Sequence, residues 1–302
     1  MRYTLLFFLT IAVAIESFAQ IPYGTAKDMA PAFSSTVYVG VAGDAEWDEA
    51  LKEAMEEFWT LTPFEFVSRE DLDIIRKEKT NYILDAMDVT EHGTSSTTGL
   101  SIDREYKIFA LQRGAPRVHP KNSIYMNVID FAGYEADYTE MAWRIGPMVK
   151  LMNDILMDIR DTNSKVAKKP HKAIKHYSEK FHKPEVLKTK TLLIPDGIVR
   201  PEDSPAINLS LTLPMDELRK VSSAKESQIK EKYPYAFSVV DKEAVAQALE
   251  ERRPDTAVLI PVASSMGSQF MIFDTETYEC LYFDYKTRGI AMRPNDYQKI
   301  FK

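Results

Sequence analysis

Phe64-Glu65-Phe66-Val67-Ser68-Arg69-Glu70-Asp71-Leu72 is the stretch that decides the fold. Alternating residues end at Ser68, and an acidic turn follows before Leu72. A strand here delivers a capping hydroxyl to a helix, acidic charge sits at the positive end of the helix dipole, and Leu72 and Ile75 return to the sheet. The arrangement recurs in Phe237-Ser238-Val239-Val240-Asp241-Lys242-Glu243-Ala244-Val245, with Asp241 as the cap. The shared core is Val-(Ser/Asp)-(Arg/Lys)-Glu-x-(Leu/Val), followed both times by a short helix and a buried strand.

Outward from the first copy, Ser34 to Val41 is β-rich and reads as a strand. Ala45 to Trp59 carries Trp47, Leu51, Met55 and Phe58 at helical spacing, with Asp48, Glu49, Glu53, Glu56 and Glu57 as its polar face. A short helix over Arg69 to Lys79 precedes a strand over Asn81 to Val89. Glu105 to Gln112 and Ser123 to Ile129 read as antiparallel strands, and Tyr138 to Arg160 as one long helix. Around the second copy, Thr191 to Pro195 is a strand and Met215 to Glu231 contains a helix. Tyr235 to Val240 is again a strand, Asp241 caps a helix bearing Val245 and Leu249, and Thr256 to Val262 is a strand. Phe270 to Asp274 and Glu279 to Tyr285 form a hairpin. The order strand, helix, strand, helix, strand, hairpin occurs in both halves. The expected fold is α+β: two tandem related β-α-β-α-β-β-β modules, with mixed sheets and helices packed on one face.

The chain has 302 residues, is 45% hydrophobic and carries a formal charge of −7, which argues against disorder and against bulk nucleic-acid binding. Arg2, the apolar run Leu5 to Ile15 and the small-x-small site Ser17-Phe18-Ala19 read as a signal peptide leaving Gln20 as mature N-terminus. The expected organisation is residues 1–19 as signal peptide, 20–162 as first module, 163–190 as basic linker or helix, and 191–302 as second module. The product is expected to be periplasmic or secreted, without lipid anchor or transmembrane helix. Cys280, the one cysteine, cannot form an internal disulfide and reads as a buried, inert thiol in a strand.

Phe66-Val67-Ser68-Arg69-Glu70-Asp71-Leu72-Asp73-Ile74-Ile75, with Tyr82-Ile83-Leu84 behind it, resembles the amino-terminal domain of TolB and the periplasmic core of CsgG-type curli-export proteins. Phe273-Asp274-Thr275-Glu276-Thr277-Tyr278-Glu279-Cys280-Leu281 likewise looks like the family's long hairpin, whose turn carries Asp and Thr. The resemblance spans roughly Ser35 to Arg160 and, more weakly, Thr189 to Tyr285, in short motifs that speak to fold before function. It implies a non-enzymatic envelope protein whose sheet edges and helix faces bind other proteins. The chain departs from the family in having no lipidatable cysteine, no pair of long extra hairpins and no following propeller, so channel and Pal-binding roles do not carry over.

Lys165 to Lys190 holds nine lysines against Glu179 and Glu185. Lys168, Lys169, Lys172, Lys175, Lys180 and Lys183 are its candidate interaction surface, suited to anionic lipid head groups or glycan. Ile174, Tyr177 and Phe181 could make the segment an amphipathic helix, and a solvated interdomain helix explains the same residues. On such a helix His176 would lie roughly 140° from His171 and His182 roughly 16 Å from it, so the three histidines do not form a metal site. Met141, Met148 and Met152 interleave with Ile145 and Ile155 as a core stripe, not a copper site. Glu91, His92 and Ser95 form a candidate loop whose residue types suggest nucleophilic catalysis on paper, but which reads as a mobile hairpin connection, with no catalytic residue assigned. No nucleophile elbow, phosphate loop, dinucleotide fingerprint or metal motif accompanies them, and no cofactor is called for.

These features together favour an exported, non-catalytic envelope protein acting as a protein-binding or assembly module, with unidentified envelope proteins as partners. The alternative is an exported hydrolase with its site between the halves, which would need a pocket joining Glu91 or His92 to second-half carboxylates.

Overall fold

The computed structural model describes residues 26–94, 101–115, 125–130, 138–162, 170–204, 220–264, 267–286 and 291–302. The signal-peptide reading of residues 1–19 lies outside them, as do Ser95, Lys168 and Lys169.

In the first half, α1 (Ala26–Phe33) leads to β1 (Val37–Gly40), α2 (Ala45–Phe58), β2 (Phe64–Val67) and α3 (Arg69–Ile75). The hairpin β3 (Tyr82–Thr94) and β4 (Ser101–Arg113) follows, then β5 (Tyr125–Asp130), α4 (Tyr138–Met141) and α5 (Ile145–Thr162). Next come α6 (Pro170–Lys180) and α7 (Pro184–Leu187). The second half contains β6 (Thr191–Pro195), α8 (Glu226–Lys232), β7 (Phe237–Val240), α9 (Lys242–Glu250), β8 (Thr256–Ser264), β9 (Gly267–Asp274), β10 (Cys280–Lys286) and α10 (Pro294–Lys299). This is an α+β chain with two mixed five-stranded sheets, ordered β2-β1-β3-β4-β5 and β7-β6-β8-β9-β10. In both, the first three strands pair parallel and the last two antiparallel.

The caps read from sequence are in place. Ser68 accepts a bond from the Asp71 amide at 3.1 Å, and Asp241 accepts one from the Ala244 amide at 2.8 Å. Asp44 caps α2 by accepting from the Trp47 amide at 2.9 Å. Other boundaries shift. The helix expected over Tyr138 to Arg160 is broken by a 3-10 turn at Ala142–Arg144. Pro147 lies in the first turn of α5, where its missing N–H costs no helical bond, so a new helix starts there instead of the old one continuing. In the region read as Met215 to Glu231, residues 215–219 lie outside the described residues, residues 220–222 are helical, and α8 follows at Glu226 after a short interruption.

Strand alternation assigns the faces. Tyr82, Leu84 and Ala86 of β3, with Phe109 and Leu111 of β4, turn toward Trp47, Leu51 and Met55 of α2 and Met148, Met152 and Ile155 of α5. The intervening Ile83 packs with Val67 and Leu72 beneath α3 on the opposite face. In the second sheet, Val258, Ile260, Met271 and Phe273 join the α2 and α5 core together with Val245 and Leu249 of α9. Its other face, with Leu192, Ile194, Leu259 and Ile272, is covered by Ile229 of α8 and Tyr297 of α10. Helices therefore occupy both faces of each sheet, correcting the expectation of one. The sequence pattern had assigned each helix an apolar stripe without saying which side of the sheet the crossover takes.

One core thus joins the halves, and the α2 and α5 layer lies within it. The basic segment is drawn in as well: Tyr177 of α6 and Phe181 just beyond its end are buried in this core, at 2% and 4% exposure. Among the described residues no helix is long and apolar enough to cross a membrane.

Candidate functional site

Where the halves meet, a cleft of about 440 Å³ opens beside α2. Glu46, Glu49, Glu53 and Glu57 recur every three or four residues and so form one stripe along the helix, facing the cleft. The buried stripe of the same helix, Trp47, Leu51, Ala54, Met55 and Phe58, fixes its rotation. Trp143, Ile145 and Gly146 form the adjoining wall, and Ala246, Leu249 and Glu250 of α9, with Arg252 and Tyr278, close the second-half side. Five carboxylates thus line a cleft that holds one guanidinium.

That guanidinium is held on three sides. The Arg252 Cζ lies 3.6 Å from the Tyr278 ring centre and 5.3 Å from that of Phe58. Its Nη2 donates to Glu57 Oε2 at 2.6 Å, and its Nη1 donates to the Glu276 carbonyl at 3.2 Å. The Phe58 and Tyr278 rings are 5.4 Å apart, so one aromatic from each half forms the floor. The Tyr278 hydroxyl donates to the Leu249 carbonyl at 3.0 Å, and burial raises its phenol above the ordinary value.

Tyr278 is positioned by the β9–β10 turn. Asp274 Oδ1 accepts from the amides of Glu276 and Thr277, while Asp274 Oδ2 lies 2.8 Å from the buried Lys190 ammonium. Thr275 is wholly buried, and its hydroxyl reaches the Thr256 hydroxyl at 2.7 Å and the Thr256 carbonyl at 2.8 Å. The Asp and Thr of the turn are therefore structural, tying it to β8 and to the end of the basic segment. Gly146 supplies the remaining space. A Cβ there would come within 2.4 Å of the Tyr278 ring.

A second cavity of about 500 Å³ lies across Glu57 and Phe58 and is lined by Thr60, Asn153, Asp154, Asp158, Lys180, Lys183 and Glu279, among others. Its charges are spent on one another. Lys150 pairs with Asp154 at 2.6 Å, Lys180 with Asp158 at 2.5 Å, and Lys183 with Glu279. His176 Nε2 also lies 3.0 Å from Asp158, and His182 Nε2 lies 3.0 Å from the Ile300 carbonyl.

The candidate basic residues are therefore dispersed. Lys180 and Lys183 clamp α6 and its following loop to α5 and the β9–β10 turn, and Lys175 is exposed 3.7 Å from Glu179. Lys172 lies on α6. Glu91 and His92, read at the start of a loop, lie in β3 opposite Arg104 and Asp103, because β3 and β4 pair through to Thr94 and Ser101. None of these residues lines the acidic cleft. Cys280 is fully buried, its Sγ donates to the Tyr282 carbonyl at 3.3 Å, and burial pushes the thiol far up, out of nucleophilic range. Among the described residues, no three His, Cys, Asp or Glu side chains are grouped to hold a metal ion.

The glutamates of the cleft were visible in sequence as a polar helix face. Arg252 and Tyr278 carried no such signal, since their meeting depends on how the halves dock. Comparison with known proteins finds no matching family model, no matching curated protein and no matching solved structure.

Proposed function

We propose that this chain is an exported, non-catalytic envelope protein that works as a protein-binding or assembly module, receiving a cationic segment of another envelope protein in the cleft between its halves. The observation that supports this reading is the seat of Arg252. A guanidinium stacked on Tyr278 and Phe58 and paired with Glu57 shows what chemistry the cleft accommodates, while Glu46, Glu49, Glu53 and Glu250 extend the same negative wall. Glu91 and His92 do not line the cleft among the described residues, so the pocket the hydrolase alternative called for, joining them to second-half carboxylates, is not this one. The identical order and pairing sense of the two sheets support descent of the halves from one duplicated unit. Of the candidate lysines whose side chains are described, Lys175 is exposed beside Glu179 and Lys180 is exposed but paired with Asp158, which leaves little support for a further surface for anionic lipid or glycan along the basic segment.

The test is a pull-down from native cell envelope with a photocrosslinker at Glu49, run beside the Glu49→Lys/Glu53→Lys variant. A stoichiometric crosslinked protein that the variant loses supports the reading. Equal capture by both forms, or none by either, refutes a role for the cleft.

A further inference from the structure

Arg252 occupies a position that favours glycine. At the end of α9 the Arg253 amide donates to the Ala248 carbonyl at 3.2 Å, and the Arg252 amide to the Leu249 carbonyl at 3.1 Å. These two bonds form the Schellman arrangement that closes a helix, and its left-handed position falls on Arg252, at φ 51°. Glycine takes that backbone without steric cost, whereas a side chain there is held against strain. The matching helix of the first half, α3, closes with no left-handed residue. A strand–cap–helix unit of this kind therefore does not require the conformation. What it delivers is a guanidinium to the wall of the acidic cleft.

The guanidinium finds a complete seat there, on the Tyr278 and Phe58 rings with Glu57 and the Glu276 carbonyl as acceptors. Its side chain is nonetheless 32% exposed, so the seat opens to solvent. Five carboxylates and one guanidinium line the cleft among the described residues, which leaves four negative charges unbalanced. Glu46, Glu49, Glu53 and Glu57 also stand three or four residues apart on α2, a spacing at which like charges destabilise a helix. Arg252, fixed at one point, relieves this only at Glu57.

We propose, building on the reading of this cleft as a seat for a cationic partner segment, that Arg252 is a built-in competitor for that seat. An arginine of the partner stacks on Tyr278 and Phe58, pairs with Glu57 and turns Arg252 out to solvent. The rings and the carboxylate fork select a planar guanidinium over the compact ammonium of lysine. Lone cations lose the exchange, because Arg252 is tethered beside the seat at high effective concentration. An arginine-rich segment wins it, because its further cations reach Glu49 and Glu53, which follow at roughly 5–6 Å steps along the helix. Arg252 thus sets a threshold that admits multivalent partners and excludes single charges.

Titration of the full chain with a pentaarginine peptide, followed by NMR of the arginine Nε–H groups, tests this. In the wild type the Arg252 signal, displaced by the Tyr278 ring, is expected to move to its free position as the peptide saturates. Arg252→Ala should bind the peptide at least tenfold tighter than the wild type, with unchanged circular dichroism. Arg252→Gly, which keeps the turn and relieves its backbone, should do the same. Pentalysine should bind Arg252→Ala at least tenfold more weakly than pentaarginine does, and Glu49→Lys/Glu53→Lys should abolish binding in either background. Peptide binding that is no tighter in the two Arg252 variants, with the wild-type Arg252 signal unmoved, overturns the competitor role and leaves the cationic cleft standing. Failure of every form to bind overturns both.

Discussion

Arg252 and Tyr278, cation stacked on ring at 3.6 Å, are also the two non-glycine residues with left-handed backbone among the described residues, at φ 51° and 57°. Each such conformation costs of order 1–3 kcal/mol and persists only where its surroundings over-determine it. Here the surroundings are the docking of the halves: Phe58 and Glu57 from the first, Leu249 and the Asp274 turn from the second. Strain and the seam of the molecule coincide.

Arg252→Ala is expected to destabilise the fold by about 1–2 kcal/mol, the sum of a part-exposed ion pair and a cation–π contact. Arg252→Gly loses the same contacts but relieves the left-handed backbone, so its urea midpoint should lie above that of the alanine variant. Equal midpoints would show that the backbone there is unstrained.

Gly146→Ala places a methyl group against the Tyr278 ring, closer than any normal contact. The expected cost is about 1–3 kcal/mol by overpacking. Tyr278→Leu in the same chain should recover part of it, because the ring is what the methyl meets. Thermal or urea unfolding of the single and double variants measures the coupling.

On the α3 face, Asp85 is 1% exposed and takes Arg69 Nη1 and Arg76 Nη2, each at 2.5 Å, while Arg76 Nη1 reaches Gln112 at 3.1 Å. Burial raises the Asp85 carboxyl, and the two guanidiniums oppose that rise. Register places Ile260 at the equivalent position of the second sheet, and Leu249 stands where α3 has Arg76. Asp85→Ile alone should cost about 3–5 kcal/mol by stranding Arg76, and Asp85→Ile with Arg76→Leu should regain most of it. Additive losses in a double-mutant cycle would contradict this.

Asp158 holds α6 in place. Burial raises its carboxyl, but the hydrogen bonds from Lys180 and His176 outweigh that and hold it below the usual value. A depressed folded-state value means the clamp contributes fully above the unfolded carboxylate range, about pH 4, and is lost as pH falls through the folded value. The wild type should therefore lose stability below about pH 4 more steeply than Asp158→Asn, as followed by circular dichroism across an acid titration. Parallel acid profiles would remove Asp158 from the account.

Much of the fold was legible locally. Ser68 and Asp241 announced their helices because a capping side chain acts within three residues, and β2, β6 and β8 stood out because short apolar runs need little context. The break at Ala142–Arg144 is not legible in sequence because Met141, Ile145 and Met148 keep one stripe through it. The length of β3 was missed because Glu91, His92 and Gly93 look like loop residues until Arg104 and Asp103 are placed opposite them. The basic segment was read as solvated because nine lysines dominate its composition, although Tyr177 and Phe181 had already marked its buried side.

The sequence by itself determined the α+β class, the two strand–cap–helix units and the inert environment of Cys280, since each follows from neighbours a few residues apart. Only the tertiary structure decided the candidate site. Glu57, separated from Arg252 by nearly two hundred residues, meets it because the α2 and α5 layer of one half docks on the α9 face of the other. That docking is set by which apolar faces find each other, a non-local choice that no periodicity within either half encodes.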